Sequence, residues 1–172
     1  VNPNLYAKVG YDPLRDFAPV MQCGSIPSLL LSHPSVPVKT LRELIALART
    51  QPNKLSYSSG GIGSTPHLAG ELFKSLTKTQ ILHVPYKGGT QGLVGAMSGE
   101  VDISIATMSA ASASYIIDGK MRGLAILDAK RVKAVPQVPT SAEAGLPQFT
   151  AINWYILAAP AGTPREIVDR LN

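Results

Sequence analysis

The fold is decided by one stretch of the chain, Lys54-Leu-Ser-Tyr-Ser-Ser-Gly-Gly-Ile-Gly-Ser-Thr-Pro-His-Leu-Ala-Gly-Glu-Leu-Phe73. Its apolar spacing predicts a short strand, a turn and an amphipathic helix. Glycine permits positive φ and lets successive backbone N–H groups face one side of a turn. The turn contains three such residues, Gly60, Gly61 and Gly63.

The turn leads into a predicted helix N-terminus. Ser64 or Thr65 supplies a capping hydroxyl, and Pro66 is expected at the first helical position. The helix dipole adds partial positive charge at this end. We therefore expect the N–H groups around Gly61, Gly63, Ser64 and Thr65 to point into solvent or hold an anion. The alternative is a structural βα turn, because such turns commonly carry glycine and a capping hydroxyl.

Composition indicates a globular protein without a nucleic-acid partner. Of the 172 residues, 45% are hydrophobic and 16% are charged, and the net charge is +5. The cations are scattered, and the densest group, Lys130-Arg131-Val-Lys133, contains no aromatic residue. Small anionic ligands remain compatible with the charge. No apolar run approaches the ~20 residues of a membrane span.

Metal, cofactor and disulfide chemistry is not predicted. Cys23 is the single cysteine, which excludes an internal disulfide. The three histidines, His33, His67 and His83, lie far apart and form no ligand-spaced pair.

Catalytic motifs are also missing. Pro66 stands where a nucleophile elbow at Ser64 needs glycine, and no lysine lies in the turn as a phosphate loop requires. The prediction is therefore a protein that is not an enzyme. An α/β enzyme that uses the Gly60–Ser64 loop for a phosphorylated substrate is the alternative.

Strand-like and helix-like segments alternate along the chain. This βαβα order predicts an α/β fold with a mostly parallel sheet flanked by helices. The predicted strands are 28–33, 55–58, 81–84, 101–106 and 122–127, and the predicted helices are 40–50, 66–76, 90–97 and 110–117. Further strand-like segments at 16–20 and 152–158 flank this core, as expected where one lobe of a two-lobed protein joins the other.

A second connection resembles the glycine turn. His83-Val-Pro-Tyr-Lys-Gly-Gly-Thr90 places Tyr86, Lys87 and two glycines before another helix. Thr107 follows the next strand and adds a hydroxyl. Because parallel strands bring such connections to their carboxyl edge, we expect these residues to lie with the glycine turn at a ligand site. The alternative for Lys87 is a solvated loop charge.

Several motifs together resemble the receptors of tripartite tricarboxylate transporters, also called the TctC-like or Bug family, which are periplasmic solute-binding proteins. The motifs occur in order over the whole chain: Asn2-Pro-Asn-Leu-Tyr, Tyr11-Asp-Pro-Leu-Arg-Asp-Phe-Ala-Pro-Val20, Tyr57-Ser-Ser-Gly-Gly-Ile-Gly-Ser64, His83-Val-Pro-Tyr-Lys-Gly88, Gly99-Glu-Val-Asp102, Pro139-Thr-Ser-Ala-Glu-Ala-Gly145 and Ala159-Pro-Ala-Gly-Thr-Pro164.

The resemblance implies a Venus-flytrap protein of the type II-like class. It implies periplasmic location, a small carboxylate-bearing ligand (a di- or tricarboxylate, an aromatic acid or an amino acid) and delivery to membrane permease subunits. The implied ligand contacts are Ser58, Ser59, Gly60, Gly61, Gly63, Ser64, Thr65, Tyr86 and Thr107.

The resemblance also implies that the chain is part of a longer receptor. Residues 25–152 correspond to lobe two, 1–24 to a lobe-one remnant with the first crossover strand, and 153–172 to the return strand and the start of a lobe-one helix. Apolar residues of these remnants are expected to be exposed or to mediate self-association. A folded fragment without activity is the remaining alternative.

Overall fold

The computed structural model describes residue 5 and residues 7–172, so the motif at residues 2–6 lies, apart from Leu5, outside the described part. The chain divides into two compact units. One contains residues up to Ile26 together with Asn153–Asn172, and the other contains Pro27–Ile152. The sequence placed these boundaries after residues 24 and 152.

Strands and helices alternate through the larger unit as the sequence predicts. In chain order the elements are β1 (Phe17–Ser32), α1 (Leu41–Thr50), β2 (Ser56–Ser59), α2 (Thr65–Thr77), β3 (Leu82–Pro85), α3 (Gly89–Met97), β4 (Ile103–Thr107), α4 (Ala110–Ile117), β5 (Arg122–Ile126), β6 (Ile152–Pro160) and α5 (Arg165–Leu171). The two strand segments predicted at 16–20 and 28–33 are parts of the single strand β1.

Local capping signals fix several of these ends. Thr40 caps α1 and accepts a hydrogen bond from the backbone N–H of Glu43. Thr140 and Glu143 form both hydrogen bonds of a capping box, at 3.2 and 2.7 Å. This box closes a turn that ends at Gly145, whose φ is +94°.

The sheet of the larger unit has the strand order β3-β2-β4-β1-β5. β2 is parallel to both β3 and β4. β1 is antiparallel to β4 and to β5. Four of these five strands therefore share one direction, and the sheet is mixed because β1 runs against its neighbours.

Helices cover both faces of this sheet. Side chains alternate along β1, so Leu30 packs with residues of α1 and α2, such as Leu44 and Phe73. Leu29 and Leu31 face the other side, together with apolar residues of α3 and α4. This arrangement confirms the α/β prediction and leaves the strand ends as the place where a ligand can reach the sheet.

The smaller unit exposes much of its apolar surface. β6 pairs with β1, and Trp154 and Ile156 of β6 are 63% and 52% exposed. The expectation of exposed apolar residues is met for these two residues and for Phe17, but Val20 is buried. Within the described residues, no helix has the length and apolar character needed to cross a membrane.

Candidate functional site

Three connections meet at one edge of the sheet in the larger unit. β2, β3 and β4 are parallel, so their carboxyl ends lie at the same edge. The glycine loop (residues 60–64) follows β2, residues 86–88 follow β3, and residues 108–109 follow β4. The backbone N–H of Tyr86 donates to the carbonyl of Ser59 at 3.1 Å, which holds the first two connections together.

Glycine lets the backbone of the glycine loop and the start of α3 lie close together. A Cβ added to Gly60 would lie 3.0 Å from the backbone nitrogen of Gly89. A Cβ added to Gly92 would lie 3.1 Å from the carbonyl oxygen of Ser59. The glycine loop therefore packs directly against the start of α3.

Hydrogen bonds inside the glycine loop use three of the amides predicted to face a ligand. Gly61 N–H donates to Ser59 Oγ at 3.1 Å, Gly63 N–H donates to His67 Nδ1 at 3.2 Å, and Ser64 N–H donates to the Gly61 carbonyl at 3.2 Å. The prediction of outward N–H groups is wrong for these three, because neighbouring side chains and the turn itself bind them. The Thr65 N–H has no partner among the described residues.

The start of α2 follows the predicted pattern with a shift of one position. Ser64 is the cap, and its Oγ accepts from the His67 N–H at 3.4 Å and donates to the Gly61 carbonyl at 2.7 Å. Thr65 is the first helical residue, so Pro66 occupies the second position rather than the first. The positive φ values of Gly61 (+113°) and Gly63 (+82°) make the turn possible.

The two serines before the loop are buried. Ser58 is fully buried, and its Oγ donates to Ser104 Oγ at 3.0 Å. Ser59 is only 2% exposed, and its Oγ lies 2.7 Å from His83 Nε2. Both hydroxyls join neighbouring strands and support the loop from within the fold.

The remaining predicted site residues lie at the ends of β3 and β4. The Tyr86 hydroxyl is buried without a hydrogen bond and lies close to Gly95, where an added Cβ would approach it to 2.3 Å. Burial, together with the nearby Glu100 carboxylate, raises the pKa of Tyr86. Thr107 is half-buried at the end of β4, opposite Ser28 of β1.

The N-terminus of α3 carries more unpaired donors than the other two helices that begin at this edge. Gly88 precedes the helix and provides no capping side chain. The N–H groups of Gly89, Thr90 and Gln91 have no partner among the described residues. In helix α4 a capping box from Ser109 binds the Ser112 N–H, so only the N–H groups of Ala110 and Ala111 have no partner among the described residues. The α3 N-terminus therefore offers unpaired donors beside the glycine loop.

A cluster of aromatic and charged side chains lies behind the glycine loop, and the sequence analysis missed it. The ring centroids of His67 and His83 are 4.4 Å apart, and His83 stacks on Tyr57 at 4.8 Å. The Tyr57 hydroxyl donates to Glu71 at 3.0 Å, and Lys74 donates to both Glu71 oxygens at 2.9 Å. The histidines meet because β2 pairs with β3 and α2 packs over both strands.

The contact between Ser59 and His83 has the spacing of a nucleophile and a base. The Ser59 hydroxyl, however, is enclosed by the loop that it supports. Burial, with the neighbouring His67, lowers the pKa of His83, and no carboxylate among the described residues orients its ring by a hydrogen bond. The pair therefore fixes loop structure. No group of three or more potential metal ligands lies together in the described part of the chain.

The sequence matches the family described as the tripartite tricarboxylate transporter family receptor over residues 1–172. The chain belongs to this receptor family. Among its relatives, Protein BugT of Bordetella pertussis is 36% identical over 172 residues, which are all of this chain and 52% of BugT. The chain spans about half the length of the curated relatives that it matches.

Solved structures of receptor-family relatives superpose closely on this chain. R. palustris Rpa4515 with adipate is 41% identical, with a TM-score of 0.87 over 96% of this chain and 55% of that chain. MatC (Rpa3494) from Rhodopseudomonas palustris with bound malate is 33% identical, with a TM-score of 0.85 over 97% and 56%. The periplasmic-binding-protein fold that the sequence implies is therefore confirmed.

Proposed function

We propose that this chain supplies the second lobe of a periplasmic receptor that binds a small dicarboxylate and delivers it to the permease subunits of a tripartite tricarboxylate-type transporter. The larger unit, Pro27–Ile152, is that lobe. The observation that carries the proposal is the convergence of the glycine loop and the uncapped α3 N-terminus at the carboxyl edge of three parallel strands. Family membership supports the receptor role.

The ligand contacts follow from the donors left free at this edge. One carboxylate of the ligand accepts hydrogen bonds from the N–H groups of Gly89, Thr90 and Gln91, where the helix dipole favours negative charge. Thr65 N–H and the Thr107 hydroxyl extend the site on either side. Gly60, Gly61, Gly63 and Ser64 shape the wall, and buried Ser58 and Ser59 hold it in place.

The ligand class is taken from two relatives. Rpa4515 was solved with adipate and MatC with malate. Adipate and malate each carry two carboxylates. Backbone N–H groups recognise the carboxylate, and the Tyr86 side chain, whose hydroxyl is buried beside Gly95, supports this edge from within. Binding without turnover fits this edge, because the described donors offer an anion several hydrogen bonds and no accessible nucleophile.

The test is an NMR titration of the chain with adipate, malate and the neutral diamide of adipic acid. The two carboxylates should shift the amide resonances of Gly89, Thr90, Gln91 and Thr65, and the diamide should not. Gly60→Ala brings a Cβ to 3.0 Å from the Gly89 nitrogen, so it should displace the α3 N-terminus and weaken binding about tenfold.

Gly10→Ala is the matched control, because an added Cβ there meets no atom within 4 Å. It should bind as the unaltered chain does. Thermal unfolding of each variant separates lost binding from lost folding. Equal shifts with the diamide, or unchanged affinity in folded Gly60→Ala, would contradict a carboxylate site at this edge.

A further inference from the structure

Two histidines hold the inward-facing amides of the glycine loop. Gly63 N–H donates directly to His67 Nδ1 at 3.2 Å. Gly61 N–H donates to Ser59 Oγ at 3.1 Å, and that hydroxyl lies 2.7 Å from His83 Nε2. The Gly63 contact is direct and depends on the protonation of His67, whereas the Ser59 hydroxyl can accept from Gly61 in either protonation state of His83.

The bond to Gly63 requires neutral His67. A backbone N–H can only donate, so Nδ1 of His67 must accept and the ring proton must sit on Nε2. Protonation places a hydrogen on Nδ1, and two donors then face each other. The Gly63 N–H must leave His67 whenever that ring becomes an imidazolium.

Charged and titratable groups surround this ring on each element that packs against it. His83 of β3 lies 4.4 Å away, and two adjacent imidazoliums repel, so the pair accepts one proton far more readily than two. Glu71 and Lys74 lie on the same helix as His67, and Tyr57 of β2 stacks on His83. Burial opposes ionisation of Glu71, but hydrogen bonds from Lys74 and Tyr57 hold its pKa below its ordinary value. Glu71 is therefore an ionised carboxylate on the same helix, with the Lys74 ammonium bound to it.

We propose that His67 is a positioning residue that works as an acid-released latch on the glycine loop. Neutral His67 holds the Gly63 N–H inside the loop. Protonated His67 releases that N–H to the ligand edge and adds positive charge beside it, so acid strengthens carboxylate binding. The release itself depends only on the loop contacts, and its effect on ligand rests on the proposed function.

The latch is tested without ligand by following the Gly63 amide and the His67 ring by NMR from about pH 8 to about pH 5, the range in which histidines titrate. Both resonances should move with the same midpoint. His67→Asn places Oδ1 near the position of Nδ1 and cannot titrate, so its Gly63 amide should remain hydrogen-bonded throughout. His67→Phe keeps a ring but no acceptor, so the amide should be released at every pH.

His83→Gln is a further control, because it removes the second histidine and leaves His67 free to titrate. The Gly63 amide should still follow His67 in this variant. A Gly63 midpoint unrelated to that of His67, or the same titration in His67→Asn, would overturn the latch. The wild-type measurement needs no variant and so stays decisive if a substitution prevents folding.

The ligand effect is measured with sulfate, which does not titrate in this range, and with adipate. Affinity should rise about five- to tenfold between pH 8 and pH 6 in the wild type, as one charge-assisted hydrogen bond provides, and stay constant in His67→Asn. Equal pH dependence in both proteins would overturn the coupling. If neither anion binds any variant while Gly63 still titrates with His67, the proposed function fails and the latch stands.

Discussion

Gly70→Ala should destabilise the protein, although alanine is the better helix former. Gly70 lies within α2, and a Cβ there would approach Cε2 of Tyr57 to 2.2 Å and Cζ to 2.3 Å. Carbon atoms normally pack at about 3.5–4.0 Å. The Tyr57 ring cannot turn away easily, because it is fully buried, stacked on His83 and hydrogen-bonded to Glu71.

The expected loss combines three contributions. Forced overpacking costs about 1–3 kcal/mol, and a displacement of more than about 1 Å belongs in the upper half of that range. Breaking the hydrogen bond between Tyr57 and Glu71 costs about 1–1.5 kcal/mol. Alanine favours the helix over glycine by about 1 kcal/mol, which offsets part of this loss. The free energy of unfolding should fall by about 2–3.5 kcal/mol.

Urea unfolding followed by circular dichroism measures this difference. Gly89→Ala is the control, because an added Cβ there meets no atom within 4 Å, and its stability should stay within about 0.5 kcal/mol of the unaltered protein. Tyr57→Phe removes only the hydroxyl and isolates the hydrogen-bond contribution. A Gly70→Ala variant as stable as the unaltered protein would refute the close packing of α2 on β2.

Four further predictions concern binding, assembly and pH. Gly63→Val places a branched side chain at a φ of +82°, so it should cost about 1–2 kcal/mol of stability and weaken adipate binding; unchanged affinity in calorimetry would make the turn purely structural. The chain alone should bind adipate or malate with a dissociation constant no lower than roughly millimolar. Amide contacts contribute about 1–3 kcal/mol, whereas the lost translational and rotational freedom costs ~4 kcal/mol or more. A micromolar dissociation constant would contradict this. Exposed Trp154 and Ile156 should promote self-association in sedimentation experiments, which Ile156→Lys should reduce, and a monomer at high concentration would argue against it. Hydrogen bonds from Arg131 and the Thr140 backbone lower the pKa of Glu143 in the folded protein. The contribution of Glu143 to the free energy of unfolding should therefore be complete above the ordinary pKa of 4.5 and disappear as the pH falls through the lower pKa of the folded state. Glu143→Gln should reduce this dependence of stability on pH, as measured by urea unfolding at several pH values.

Local chemistry made much of the fold predictable. Thr40, Ser64 and the pair Thr140 and Glu143 act as caps because each depends on residues within a few positions along the chain. The hydrophobic spacing of the helices likewise depends only on their own sequence. The order of elements, and hence the edge at which the connections meet, followed from these signals.

Contacts between distant residues were not predictable in the same way. His83 reaches Ser59 only through the register of β3 on β2, and it meets the His67 ring only because α2 packs over these two strands. Sequence spacing alone shows three isolated histidines. The reversed direction of β1 also leaves no mark in its own residues, because an apolar strand has the same side-chain alternation in either direction.

The central position of β1 has a consequence for how the protein folds. Leu30 pairs with Ile105 and with Ala125, which lie 75 and 95 positions further along the chain (105 − 30 and 125 − 30). Such long sequence separation slows folding, because large loops must close before the contacts form. During synthesis the apolar strand therefore waits without either neighbour until β4 and then β5 have been made. In that interval the unpaired backbone and the leucines of β1 can form non-native contacts with other chains. Chaperone binding and aggregation of nascent chains should therefore concentrate on residues 28–32.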